Sequence, residues 1–178
     1  MTYRLTCSTV LPCPRAEVFE FFADAGNLEK LTPPLLRFHI LTPSPIAMHA
    51  GALIDYRLRV HGVPIRWRTE ITEWEPPVRF VDRQLRGPYS LWHHEHIFEE
   101  VPGGTLATDR VHYSFLPIPG VHRLFVEPDL RRIFGYRLER MRERFGGNGS
   151  AEIEIRRLLR EEEAAAPRRR GRPAGTGA

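Results

Sequence analysis

His94 and His96 are the residues whose type and spacing best suit chemistry. Two residues apart on an extended strand, they project to one side, because successive strand side chains alternate between faces. The stretch that holds them runs GPYSLWHHEHIFEEVPGGTLATDRVHYSF from Gly87 to Phe115, two alternating segments joined by Val101-Pro102-Gly103-Gly104. That junction predicts a β-hairpin, since glycine supplies the positive φ a tight reversal needs. Pairing Glu100 with Thr105 sets His96 opposite Asp109, His94 opposite Val111 and Trp92 opposite Tyr113, with Glu95 opposite Arg110 and His93 opposite His112 on the other face. One face then carries Trp92, His94, His96, Phe98, Asp109, Val111, Tyr113 and Phe115, an apolar wall with a polar centre. A slip of one residue would exchange the two faces, so the pattern sets the register as well as the strands.

A carboxylate beside a buried imidazole orients its tautomer and favours its cation, the arrangement of a tuned general base. His96, Asp109 and His94 are therefore the catalytic candidates. The same groups also suit a structural network, with His96 bonded to Asp109 and His94 to Tyr56 or Tyr113, or a set of hydrogen bonds that orients a ligand. A catalytic zinc takes three protein ligands. Alternation puts His94 and His96 inward and His93 and His112 outward, so neither pair reaches three unless Asp109 joins the inward one, and no metal is expected. His39, His49, His61 and His122 are scattered over loops and strand ends and receive no role. Cys7, Ser90 and Ser114 lack the neighbours of an activated nucleophile, and no Gly-rich phosphate loop follows a strand, so no cofactor is implied.

The elements that must position these groups follow from periodicity. Residues 3–11 alternate as a half-buried strand that Pro12 and Pro14 end. Val18, Phe19, Phe22 and Leu28 then recur at helical spacing, with Gly26-Asn27 dividing the segment into two short pieces. Strands are expected at 36–42, 52–60, 63–75 and 78–86, the middle two with one apolar and one charged face. From Pro128, Leu130, Ile133, Phe134, Leu138, Met141 and Phe145 step by three and four, which predicts a long amphipathic helix. Arg131, Arg132, Arg137, Glu139, Arg140, Arg142, Glu143 and Arg144 are assigned to its remaining faces. Leu124, Phe125 and Val126, just before it, suit a gate. Gly146-Gly147-Asn148-Gly149 ends the helix, residues 150–163 read as a weak charged helix, and the Arg-rich segment from Ala164 to Ala178 as a disordered tail.

The chain has 178 residues, enough for one domain with a cavity in its core. Its formal net charge of +4 rests on arginine, with Lys30 the sole lysine, and no nucleic-acid partner is expected. Cys7 and Cys13 are too far apart along a strand for a disulfide and read as free thiols of a reducing compartment. With no basic region followed by an apolar run at the start and no span of ~20 apolar residues, a cytoplasmic protein is expected.

This order of strand, two short helices, antiparallel strands and long C-terminal helix resembles the START-like (SRPBCC) superfamily of polyketide cyclases, coenzyme-Q-binding proteins and the major birch pollen allergen. The residues Gly87-Pro88-Tyr89, Trp92, His94, His96 and Phe98, then Gly103-Gly104-Thr105, Asp109, Val111 and Tyr113, most resemble the bacterial ligand-binding members. The resemblance implies an α+β helix-grip fold over residues 1–146, a seven-stranded antiparallel sheet wrapped around the C-terminal helix, with residues 147–178 left as a tail. It further implies a cavity for a lipid, quinone or polyketide-like molecule. Tyr56, Trp67, Gln84, Trp92, His94, His96, Phe98, Tyr113, Phe134 and Leu138 are the expected ligand-binding residues. A cyclase or dehydratase using His96 oriented by Asp109 is the first alternative, and a protein-interaction module the second. No oligomeric state is implied.

Overall fold

The computed structural model describes residues 1–116, 118–147 and 151–167. The chain runs β1 (Thr2–Leu11), α1 (Arg15–Ala23), β2 (His39–Ile40), β3 (Leu53–Val60), β4 (Val63–Glu75), β5 (Arg79–Arg86), β6 (Leu91–Val101), β7 (Gly104–Ser114), α2 (Glu127–Phe145), β8 (Glu152–Arg157) and α3 (Arg160–Ala165). Short 3-10 turns at Ala25–Leu28 and Pro34–Leu36 follow α1, and a π-helical turn at His122–Val126 leads into α2. The strands form one sheet in the order β2-β3-β4-β5-β6-β7-β1-β8, every adjacent pair antiparallel. This is the helix-grip arrangement with eight strands where seven were expected.

The additional strand comes from the segment read as a charged helix. Ile153 and Ile155 alternate with Glu152, Glu154 and Arg156, and β8 pairs along β1 from Tyr3↔Arg157 to Ser8↔Glu152. At the other edge the expected strand 36–42 shrinks to His39–Ile40, because the 3-10 turn at Pro34–Leu36 and Arg37 with φ 44° occupy its start. The Arg-rich run from Arg168 lies outside the described residues.

The hairpin β6–β7 has the expected register throughout: Trp92↔Tyr113, His94↔Val111, His96↔Asp109 and Glu100↔Thr105. Gly103 and Gly104 close it with φ of 92° and 142°. At Gly104 a side chain would also collide with the Leu11 carbonyl, 2.0 Å from where its Cβ would sit, so this position has room for glycine alone.

Helix α2 lies across the inner face. Leu130, Phe134, Leu138, Met141 and Phe145 are buried along it, each contributing about 1.5–3 kcal/mol of apolar burial. Glu127 and Asp129 in its first turn, and Arg142 and Arg144 in its last, suit the helix dipole. Arg137 breaks the pattern assigned to it. It stands on the buried stripe, three residues after Phe134 and one before Leu138, and is only 8% exposed.

Candidate functional site

Between α2 and the inner face of the sheet lies a cavity of about 320 Å³. Its wall is mainly apolar, with Tyr56, Trp67, Trp92, Phe115, Ile133 and Phe134 among the lining groups. The aromatic rings brace one another, Trp67 standing edge-on to Trp92 at 5.4 Å and Tyr89 tilted against Trp92 at 4.7 Å. A set of neutral polar groups interrupts the wall: Trp67 Nε1 donates to Thr69 Oγ1 at 3.1 Å, and Tyr56 Oη lies 3.4 Å from the same hydroxyl. Burial pushes the Tyr56 phenol well above its ordinary value, so it stays protonated.

One part of the wall is a largely buried charged cluster. Asp82, His94, His96 and Arg137 all line the cavity, with Asp109 behind them. The sheet register builds this cluster: Asp82 faces His94 between β5 and β6, and His96 faces Asp109 between β6 and β7. These two cross-strand pairs sit one pleat apart on a single face. His94 Nε2 is 3.0 Å from Asp109 Oδ1, and its Nδ1 is 3.3 Å from Asp82 Oδ2. His96 Nε2 is 3.1 Å from the same Asp82 oxygen. Its Nδ1 is 2.8 Å from Asp109 Oδ1 but out of line for a hydrogen bond. From α2, Arg137 Nη1 donates to both oxygens of Asp109, at 3.3 and 3.2 Å.

Electrostatics follow from this geometry. Burial would raise the Asp109 carboxyl, but Arg137, His94 and His96 overcome it and hold Asp109 well below the carboxylate range. Asp82 is likewise lowered against its burial by His94 and His96. Burial opposes the charging of His94, yet Asp82 and Asp109 on its two sides outweigh that and raise its proton affinity. Neighbouring Cys7 is a buried thiol, pushed up by burial and then by Asp109, and does not ionise. Asp82, His94 and His96 each offer a ligand atom within 4.8 Å of the others, so a cation can be held here.

Of the residues expected to bind a ligand, Tyr56, Trp67, Trp92, His94, His96 and Phe134 lie on the cavity wall. Gln84, Phe98, Tyr113 and Leu138 do not. Gln84 spends its amide on the β5–β6 turn, donating to the Tyr89 carbonyl at 2.6 Å and accepting from the Tyr89 N–H at 3.3 Å. Gly87 permits this approach, since a Cβ there would lie 2.3 Å from Gln84 Oε1. Phe98 packs with Phe19, Phe22 and Phe80, and Tyr113 Oη meets His122 Nε2 at 2.9 Å. His94 bonds the two aspartates, not Tyr56 or Tyr113.

Asp82 and Arg137 are the members the sequence reading missed. Asp82 has the same strand parity as Phe80 and Gln84, and Arg137 sits within the apolar stripe of α2, so a signal existed for each. His61, at φ 50° in the β3–β4 turn, also gains a place: its Nε2 lies 2.8 Å from Asp129 Oδ2 on α2, at the cavity's edge. Leu124 and Phe125 are largely exposed there, and Phe125 stands edge-on to His61. Among the described residues no helix is long and apolar enough to cross a membrane.

Comparison with known proteins agrees with this architecture. The family described as "Polyketide cyclase / dehydrase and lipid transport" matches residues 2–146. The chain belongs to this family. No curated protein matches the chain in sequence. Among solved structures, protein CV1439 from Chromobacterium violaceum superposes with a TM-score of 0.63 at 15% identity, covering 83% of this chain and 98% of that one. Ginseng major latex-like protein 151 from Panax ginseng gives 0.61 at 12% identity, covering 82% and 98%. Protein Ms6760 from Mycobacterium smegmatis gives 0.58 at 18%, covering 78% and 87%. At these identities the likeness is one of fold, which leaves function to the site.

Proposed function

We propose that this family member binds one apolar or amphipathic small molecule, of lipid, quinone or polyketide-like character, between the sheet and α2. The observation that carries the reading is a cavity of about 320 Å³ whose aromatic and aliphatic wall holds a largely buried charged cluster of Asp82, His94, His96 and Arg137. Such a composition gives affinity through apolar area and orientation through a few convergent polar groups. The ligand's apolar body lies against Trp67, Trp92 and Phe134, and its polar end meets His94, His96 and Arg137. Residues 1–146 form the binding unit, working in the cytoplasm. The test uses 1-anilinonaphthalene-8-sulfonate as an apolar probe. One probe binds per chain, saturably, and Ile133→Trp, which fills the space, abolishes the binding while the far-ultraviolet spectrum is unchanged. Probe binding that Ile133→Trp leaves intact overturns the assignment of the cavity.

A second reading, acid–base catalysis of a cyclisation or dehydration, is favoured by one specific observation: His94, with raised proton affinity, stands in the cavity wall beside His96. A proton donor so placed can serve a carbonyl or hydroxyl of the bound molecule. Incubation with a polyketone, followed by product analysis, tests it, and turnover unchanged by both His94→Ala and His96→Ala overturns it.

A further inference from the structure

We infer that Asp82, His94 and His96 form a site for a divalent transition-metal ion of the Zn2+, Fe2+ or Co2+ class, with an open position facing the cavity. Three observations carry this. The first is spacing. Asp82 Oδ2 is 3.3 Å from His94 Nδ1 and 3.1 Å from His96 Nε2. Ligands about 2.0–2.2 Å from a tetrahedral ion stand roughly 3.4 Å apart, so these atoms already lie near the edges of a coordination shell.

The second is the arrangement behind the ligands. The other nitrogen of each imidazole faces one oxygen of Asp109, at 3.0 Å for His94 Nε2 and 2.8 Å for His96 Nδ1. Arg137 in turn clamps that carboxylate. A carboxylate behind a histidine fixes its tautomer and makes the far nitrogen a better ligand. Here Asp109 holds His94 through a hydrogen bond and flanks His96 as a nearby counter-charge, and His94 Nδ1 and His96 Nε2 are the nitrogens that meet at Asp82.

The third is charge. All four imidazole nitrogens lie within 3.3 Å of a carboxylate oxygen. Asp82 and Asp109 bring two carboxylates to this point against the single guanidinium of Arg137, an excess of negative charge that favours a bound cation. His94 is 4% and His96 5% exposed, so the ion is shielded from bulk water on the sheet side and reached through the cavity. Three protein ligands with one position left open suit a metal that polarises a bound molecule or water more than one that only holds structure.

The site shares His94 and His96 with the proposed ligand cavity but is tested apart from it, since protein stripped of metal keeps its apolar wall and still takes the naphthalene probe. The experiment titrates chelator-dialysed full chain with Co2+ and follows the visible ligand-field bands, with Zn2+ as competitor. One Co2+ binds per chain with a tetrahedral or five-coordinate spectrum, and one equivalent of Zn2+ removes it. Asp82→Asn weakens Co2+ by about 100-fold or more and Asp109→Asn by about 10- to 100-fold. Equilibrium dialysis of the unaltered chain against Zn2+ gives the stoichiometry without relying on any variant's folding. Less than one tenth of an equivalent of Zn2+ retained at micromolar free ion overturns the site, as does a Co2+ spectrum that Asp82→Asn leaves unchanged.

Discussion

The two faces of the β6–β7 hairpin carry the same residue types in adjacent positions and treat them in opposite ways. Inward, His94 and His96 lie between two carboxylates backed by Arg137, and the proton affinity of His94 rises. Outward, His93 and His112 share only Glu95, at 3.7 and 3.9 Å, with Arg110 competing for it at 3.5 Å. Burial there prevails and both imidazoles fall below their ordinary value. The more deeply buried pair thus contains the histidine that is easier to protonate. The number and closeness of counter-charges decide, because a carboxylate near 3 Å in a poorly screened interior outweighs the loss of water that one near 4 Å at the rim does not.

Removing the central carboxylate should have the largest effect. Asp109→Leu leaves Arg137 buried without its partner and should cost about 3–5 kcal/mol in urea unfolding. A cost below about 1 kcal/mol would erase the distinction between the faces. Next in size is the coupling of Asp109 to Arg137. The double variant Asp109→Leu/Arg137→Met should be more stable than Asp109→Leu alone, with a coupling energy of about 0.5–3 kcal/mol, because an apolar pair replaces a lone cation.

Opposite pH dependence on the two faces is a finer test, read as urea-unfolding free energy of chelated protein. His94 has a raised value in the fold, so its contribution is complete below the unfolded value of about 6.5 and is lost as pH rises through the folded one. Asp82 and Asp109 are lowered, so theirs is present above about 3.9 and lost as pH falls toward the depressed values. His93 and His112 are lowered, so they favour the fold above about 6.5 and weaken it as pH falls through their folded values. His94→Gln should flatten the decline above pH 6.5, and His93→Gln the decline below it. Smallest of all, Glu95→Gln should change stability by less than about 1 kcal/mol, since its pairs are loose and near the surface.

The hairpin, its register and the inward pairing of histidines with carboxylate were legible in the sequence, because alternation and turn chemistry act over a few residues. The amphipathic stripe that makes α2 a cover for the sheet was equally local. The helix-grip order followed from those elements together, and so did the aromatic wall.

Completion of the site was not legible in the same way. Asp82 reaches His94 only once β5 pairs with β6, and that register follows a pairing of β4 with β5 that shifts around Ile71 and Glu73. Arg137 reads as a solvated charge until α2 docks with Asp109 beneath it. The sequence of β8 holds both a short charged-helix pattern and a strand alternation, and the open edge of β1 selects the strand. The chain by itself determined which residues share a face; the tertiary structure decided which faces meet, because a buried charge is retained only where a partner from another element offsets the loss of water.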